Sequence, residues 1–240
     1  MGAYGMPVRR NSLFGGLFMI HIAIDGPAGA GKSTIARKVA AQIGFIYVDT
    51  GALYRAVGLS ILRAEVKPDD VKAVMKLLPQ IHISLRFEDG VQKVLLNEED
   101  VSEAIRTTEV SMATSKVSGI PQVRDFLLSL QRKIALENNV IMDGRDIGTV
   151  VLPDAQLKIF LSASTEVRAQ RRYKEMKDKG QQANYEEVLA SIRQRDAQDM
   201  NRKVAPLKPA ADAVRVDTTD MTLEQSISFL RGIVREKLGL

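Results

Sequence analysis

The sequence predicts an α/β fold: a five-stranded parallel sheet with helices on both faces. Three observations carry this. Five short apolar runs rich in β-branched residues, at 20–24, 45–48, 140–143, 157–161 and 213–217, are separated by stretches of helical period. Alternation of strand and helix is what crossover connections between parallel strands require. The runs are apolar almost throughout rather than alternating, as strands covered on both faces are. The first run leads into Gly26-Pro27-Ala28-Gly29-Ala30-Gly31-Lys32-Ser33-Thr34, followed by Ile35, Val39 and Ile43 at helical spacing. That stretch fits G-x-x-x-x-G-K-[ST] in the strand, loop, helix order the motif demands.

Taken in order, the second strand ends in Asp49-Thr50-Gly51 and a helix over 52–63 follows. Pro68 opens a short helical piece that stops by Pro79. The period then changes. Residues 81–87 alternate apolar and polar, 91–96 follow, and Asp89-Gly90 between them is a turn signal. A β-hairpin inside an α/β alternation implies an insert. Residues 97–100 read as a polar turn, and 101–117 as mostly helical with a break at Arg106-Thr107. A helix over 121–138 sets Phe126, Leu127, Leu130 and Ile134 on one face. The strand at 140–143 ends in the acid Asp143, and the helix over 165–177 is strongly basic. Asn184-Tyr185-Glu186-Glu187 offers a capping box for a helix to Met200. A proline-bounded loop at 205–209 precedes the last strand, and a helix over 222–237 closes the chain.

Composition narrows the function. The 240 residues are 45% hydrophobic, enough for a sizeable core, and include no cysteine and two histidines. A thiolate metal site, a disulfide framework and a zinc enzyme are excluded. His21 and His82 lie in strand-like runs and read as structural. The net charge is +5 and the pI about 9.4, which suits nucleic acid or a pocket for polyanionic nucleotides. Aromatics are only 5% and no basic tail appears, so the small phosphorylated ligand is favoured. No apolar run is long enough to span a membrane, and a cytoplasmic protein is expected. Residues 13–20 follow Arg9-Arg10 like a signal peptide but run straight into the first strand. Residues 1–18 read as a disordered appendage, with Met19 opening a single domain over 19–240.

In the glycine-rich loop, successive backbone N–H groups can curl around phosphate oxygens, and the helix behind aims its positive end at the same anion. Lys32 can reach the terminal phosphates and the Ser33 hydroxyl can ligate Mg²⁺ directly. Asp25 ends the first strand, where it either steers Mg²⁺ through water or caps the loop backbone. Neither D-x-x-G nor N-K-x-D occurs, which sets switch GTPases aside. Arginines at several separate places fit a phosphoryl transferase, whose donor and acceptor are both anionic.

Five segments in order then resemble the bacterial cytidylate kinases, the CMP kinase branch of the nucleoside monophosphate kinases. They are the loop with Asp25, the run Tyr47-Val48-Asp49-Thr50-Gly51-Ala52-Leu53-Tyr54-Arg55, and Val101-Ser102-Glu103-Ala104-Ile105-Arg106 with Thr114-Ser115. Then come Asp143-Gly144-Arg145-Asp146-Ile147-Gly148-Thr149 and Arg195-Asp196-Ala197-Gln198-Asp199-Met200-Asn201-Arg202. The last two carry most of the specificity. The resemblance implies a core at 19–63, 118–163 and 203–240, a monophosphate-binding insert at about 64–117 and a helical lid at about 164–202. It implies phosphate-contacting roles for Arg55, Arg145 and Arg195. Of the lid arginines Arg168, Arg171 and Arg172, at least one is a surface charge, and Arg172 fits the family pattern best. Catalysis would rest on Lys32, Arg145, Arg172 and Arg195. Ser115, Arg124 and Asp146 match positions that recognise cytosine: a carboxylate suits its amine, a hydroxyl and a guanidinium its ring acceptors. Asp199 and Arg202 match contacts to the ribose, although Asp199 could equally pair with a nearby cation. Thr50 keeps, as threonine, the hydroxyl that many relatives supply as serine at the monophosphate site.

The implied reaction is MgATP + CMP to MgADP + CDP, with dCMP a second substrate and no nucleic acid, membrane or second subunit involved. Its rivals are the same transfer to another acceptor, such as UMP or a small metabolite, and an RNA-binding module suggested by the basic charge. Asp146 argues for an amine-bearing base.

Overall fold

The computed structural model describes residues 19–88 and 91–240. The expectations for 1–18 and for the turn at Asp89-Gly90 lie outside them. Five strands, β1 (His21–Asp25), β2 (Ile46–Asp49), β6 (Val140–Gly144), β7 (Leu157–Ser162) and β8 (Val214–Asp217), form one parallel sheet in the order β2-β6-β1-β7-β8. Adjacent side chains point to opposite faces, and each face has its own apolar layer. Ile22 and Ile24 meet α1 (Lys32–Ile43) and α8 (Leu223–Leu238) on one side. Ala23, Val140 and Met142 meet α5 (Pro121–Glu137) through Ile134 and Ala135 on the other. The expected architecture is therefore the observed one.

A second core lies beside the sheet. It joins α2 (Thr50–Arg63), α3 (Val71–Leu77), the hairpin β3 (Ile83–Glu88) and β4 (Val91–Leu96), α4 (Thr108–Val117) and the first half of α5. The 97–100 turn is more regular than expected. Asn97 and Glu98 take left-handed backbone (φ 49° and 70°), which turns the chain back so that β5 (Glu99–Asp100) pairs with β4. The break expected at Arg106-Thr107 is the N-cap of α4, where Thr107 Oγ1 accepts from Val110 N–H. Two further helices, α6 (Thr165–Asp178) and α7 (Tyr185–Asn201), share a small cluster of Ala169, Val188, Leu189 and Ile192. Asn184 caps α7 by accepting from the N–H groups of Glu186 and Glu187, but the reciprocal bond of a capping box is absent among the described residues. The box forms instead at Thr222 and Gln225, at the start of α8.

Gly58 permits the close crossing of α2 and α4: a Cβ there would lie 2.5 Å from Thr114 Oγ1. Alanine normally stabilises a helix interior relative to glycine. Here Gly58→Ala is expected to lower stability by about 1–3 kcal/mol through overpacking. Thr114→Ala removes the obstructing hydroxyl and should relieve part of that loss. Urea unfolding midpoints test this, and a gain in stability from Gly58→Ala would contradict the packing argument.

Candidate functional site

The sheet register assembles the site. Ile24 lies beside Asp143, Asp25 beside Gly144, and Asp49 beside Asp143, so the carboxyl ends of β1, β6 and β2 bring three acids to one edge. That is where open parallel sheets bind ligands. The loop 26–34 wraps this edge. Gly26 has φ 150° and a Cβ there would overlap Leu161 O at 1.9 Å, so no other residue lets the loop pass β7. Gly29 and Gly31 are left-handed, with φ of 75° and 87°.

Helix α1 differs from six of the helices around it; α5, which opens on Pro121, is likewise uncapped. Side chains of Asp49, Asp70, Thr107, Ser164, Asn184 and Thr222 cap the starts of α2, α3, α4, α6, α7 and α8. The start of α1 has no side-chain cap and no acid in its first turn. Its first N–H groups and its dipole thus face the loop unclaimed, which is the environment of an anion site. Thr34 lies in that first turn. Lys32 is buried, and its Nζ donates to Pro27 O at 2.8 Å, closing the loop from within. Burial and the neighbouring Arg145 pull the Lys32 ammonium well below its ordinary pKa, against the attraction of Asp143 and Asp25.

Asp143 is the centre of an oxygen cluster the sequence reading passed over. Its Oδ2 accepts from Ser33 Oγ at 2.9 Å, its Oδ1 from Tyr47 Oη at 2.8 Å, and its backbone carbonyl from Thr50 Oγ1 at 2.7 Å. Burial and then the charge of Asp49 raise its pKa. Asp25, expected to steer Mg²⁺ through water or to cap loop backbone, bonds to backbone beyond the end of β6. Its two carboxylate oxygens accept the backbone N–H groups of Ile147 and Gly148 at 2.7 and 2.8 Å. It caps the single π-helical turn Ile147–Val151, the capping alternative in a different loop, and burial pushes its pKa to about 6. No group of three acids or histidines that could cage a metal occurs among the described residues. Mg²⁺ needs none, since it is bound through one or two carboxylates with waters and phosphate oxygens. The Ser33 hydroxyl beside the Asp143 carboxylate is a hard-oxygen pair that fits it.

Arg55 sits on α2, where Asp49 Oδ2 holds it at 2.7 Å and its buried Nε has no partner among the described residues. Asp49 is held in turn by Gln92 of β4, whose Oε1 accepts from Asp49 N–H at 2.8 Å. Arg145 donates to Asp199 Oδ2 at 2.8 Å, the cation pairing left open for Asp199. Burial pushes Asp199 up, but Arg145, Arg195 and Arg202 outweigh it and hold its pKa below the usual range. Arg195 is partly buried, and its guanidinium has no hydrogen-bond partner among the described residues. Burial, then the charges of Arg145, Arg55 and Arg172, lower it to about 10. Four guanidiniums so crowded repel one another unless phosphates lie between them.

The lid arginines separate cleanly. Arg168 is 4% exposed and structural: it donates to Ala28 O of the loop at 3.0 Å, to Ala163 O at 2.9 Å and to Asp196 at 2.6 Å. Arg171 binds Thr218 O at 2.7 Å beyond β8. Arg172 is half exposed and pairs with Glu175 at 2.9 Å. Its charge is nevertheless among those acting on Arg195.

On the acceptor side, Asp146 is buried between Arg124, which pairs with its Oδ2, and Arg202, whose Nη2 is 3.5 Å from its Oδ1. Arg124 lies over the Tyr54 ring, 5.5 Å from its centroid. Arg202 also donates to Ala205 O at 2.6 Å. Ser115 lines a cavity of about 330 Å³ with Ser118, Gln198, Asp199 and Arg202. Sequence-distant motifs thus converge on one edge.

A family model described as cytidylate kinase matches residues 22–235. This chain belongs to the cytidylate kinase family. The cytidylate kinase of Caldicellulosiruptor saccharolyticus is 50% identical over 220 residues, covering 92% of this chain and 97% of that protein. That of Caldanaerobacter subterraneus is 51% identical over 217 residues, 90% and 95% of the respective chains. Asp143, Tyr47, Gln92 and Gln198 also bond to residues of this edge, and the sequence reading gave none of them a role. The buried strand ending in an acid was the one signal for Asp143. No helix among the described residues is long and apolar enough to cross a membrane.

Proposed function

We propose that this chain transfers the γ-phosphoryl group of MgATP to CMP, and to dCMP, giving CDP or dCDP and ADP. Beyond family membership, one observation carries the reading: the two acceptor-side motifs grip each other, Arg145 on Asp199 and Arg202 on Asp146, at the edge where the loop opens. The loop N–H groups and Lys32 bind the triphosphate. Arg55, Arg145, Arg195 and Arg172 neutralise charge on the acceptor phosphate and the transferring group, and Thr50 lines the acceptor phosphate site. Ser33 and Asp143 would hold Mg²⁺. Held there, it would supply positive charge against the negative charge that develops on the phosphoryl oxygens.

No general base is required, because the attacking oxygen belongs to a phosphate already ionised at neutral pH. The chain's contribution is positioning and exclusion of water. The insert at 64–117 carries Ser115 to the acceptor, and the lid at 164–202 brings Arg172 and Arg195 over the phosphates. The lid has an apolar cluster of its own, which supports its movement as a unit. Asp146 meets the cytosine amine, Arg124 the ring acceptors, and Asp199 with Arg202 the ribose. The protein would act in the cytoplasm, where these substrates are found.

A coupled ADP-release assay over CMP, dCMP, UMP, AMP and GMP tests the reading. CMP and dCMP should turn over fastest, with UMP poor. Rapid use of a nucleotide without a cytosine base would overturn it.

A further inference from the structure

We propose that Gln198 is a specificity-determining positioning residue: it fixes the polarity of the Ser115 hydroxyl so that this side chain accepts from the cytosine amine and disfavours uracil. The proposal rests on the CMP kinase reading above and deepens it.

Helix hydroxyls ordinarily donate back to their own helix. On α4, Ser111 Oγ donates to Thr107 O at 2.9 Å and Thr114 Oγ1 to Val110 O at 2.7 Å. Ser115 departs from its neighbours. Its Oγ donates to Gln198 Oε1 at 2.9 Å, on α7 and 83 positions along the chain. Both residues line the 330 Å³ cavity that Asp199 and Arg202 share.

A serine hydroxyl has one proton and two lone pairs. With the proton held by Gln198, only lone pairs are left for a ligand. The group they meet must be a donor. Cytosine carries an amine at ring position 4, whereas uracil carries a carbonyl there, and lone pairs facing lone pairs repel. Ser115 is thereby an acceptor for the amine, as the Asp146 carboxylate is. This revises the sequence-based assignment, in which the hydroxyl donates to a ring acceptor. Gln198 works through Ser115, from the lid helix α7 onto the insert helix α4, and its effect should appear in discrimination between bases.

The test is kcat/KM for CMP and for UMP, measured on the wild type, Gln198→Leu, Gln198→Glu, Ser115→Ala and the double variant Ser115→Ala/Gln198→Leu. Leucine removes the acceptor and releases the Ser115 proton, so the CMP-to-UMP ratio should fall about tenfold, the size of one exchanged hydrogen bond. Glutamate retains an acceptor at the same reach and should keep the ratio within about twofold of wild type. In the Ser115→Ala background, Gln198→Leu should leave the ratio where Ser115→Ala put it. Gln198 is exposed, so all the variants should fold, and thermal unfolding checks that. An unmoved ratio in Gln198→Leu, or an equal fall in Gln198→Glu, overturns the inference while CMP phosphorylation stands. A wild type that does not phosphorylate CMP overturns the reaction reading itself, and this inference with it.

Discussion

Lys32→Met is expected to lower kcat by about a thousandfold while leaving the fold intact, the scale on which a fixed cation at a transferring phosphoryl group acts. The two halves of that expectation have separate grounds. The ammonium is buried and its charged form is disfavoured by desolvation and by Arg145, so removing it lifts a desolvation penalty. Methionine fills nearly the same volume along the same unbranched stem. The hydrogen bond to Pro27 O is lost, but that carbonyl belongs to a loop that the left-handed Gly29 and Gly31 already shape. Catalytically nothing replaces the cation, because in the proposed mechanism Arg145 and Arg195 serve the acceptor phosphate. Single-turnover rates with saturating ATP and CMP, beside urea unfolding of the same protein, make the measurement. Turnover near the wild-type rate would remove Lys32 from the mechanism.

Much of this was legible in the sequence, and the reasons differ from part to part. The parallel sheet was readable because strands covered on both faces leave unbroken apolar runs, as 140–143 does. The loop was readable because its glycines meet conditions stated residue by residue: Gly26 against Leu161 O, and two left-handed positions. The roles of individual polar side chains were less accessible. Asp25 and Asp143 both end buried strands, and pattern alone does not say which acid faces the Ser33 hydroxyl. That depends on the π-helical turn after β6, whose N–H groups occupy Asp25. Arg168 and Arg172 stand four residues apart on one helix, yet one is buried on the loop and the other lies in solvent. The difference arises from α7, which supplies Asp196 to Arg168. Gln92 and Gln198 were invisible because an amide carries no charge and fits no spacing rule. Their partners lie 43 and 83 positions away, and only the folded chain brings them together.

Arg124→Met is the second large effect, and here stability and activity should both fall. Arg124 and Asp146 have side chains only 8% and 6% exposed, and they pair directly. Removing one member of a buried pair strands the other charge in a poorly solvated site, at a cost of about 3–5 kcal/mol. The low end applies, since Arg202 remains 3.5 Å from the other Asp146 oxygen, so about 3 kcal/mol is expected from urea unfolding. The Tyr54 ring also loses the cation stacked above it. The double variant Arg124→Met/Asp146→Leu separates the two causes. Replacing both charges by apolar groups of similar size removes the stranded carboxylate and should restore most of the stability. On the proposed base recognition it should not restore CMP phosphorylation, because the guanidinium and carboxylate assigned to the base are then both absent. If the double variant stays as unstable as Arg124→Met, the loss came from packing around Tyr54 and not from charge. If Arg124→Met keeps wild-type kcat/KM for CMP, the base is read without it, and the assignment of Asp146 must be rebuilt on Arg202 alone.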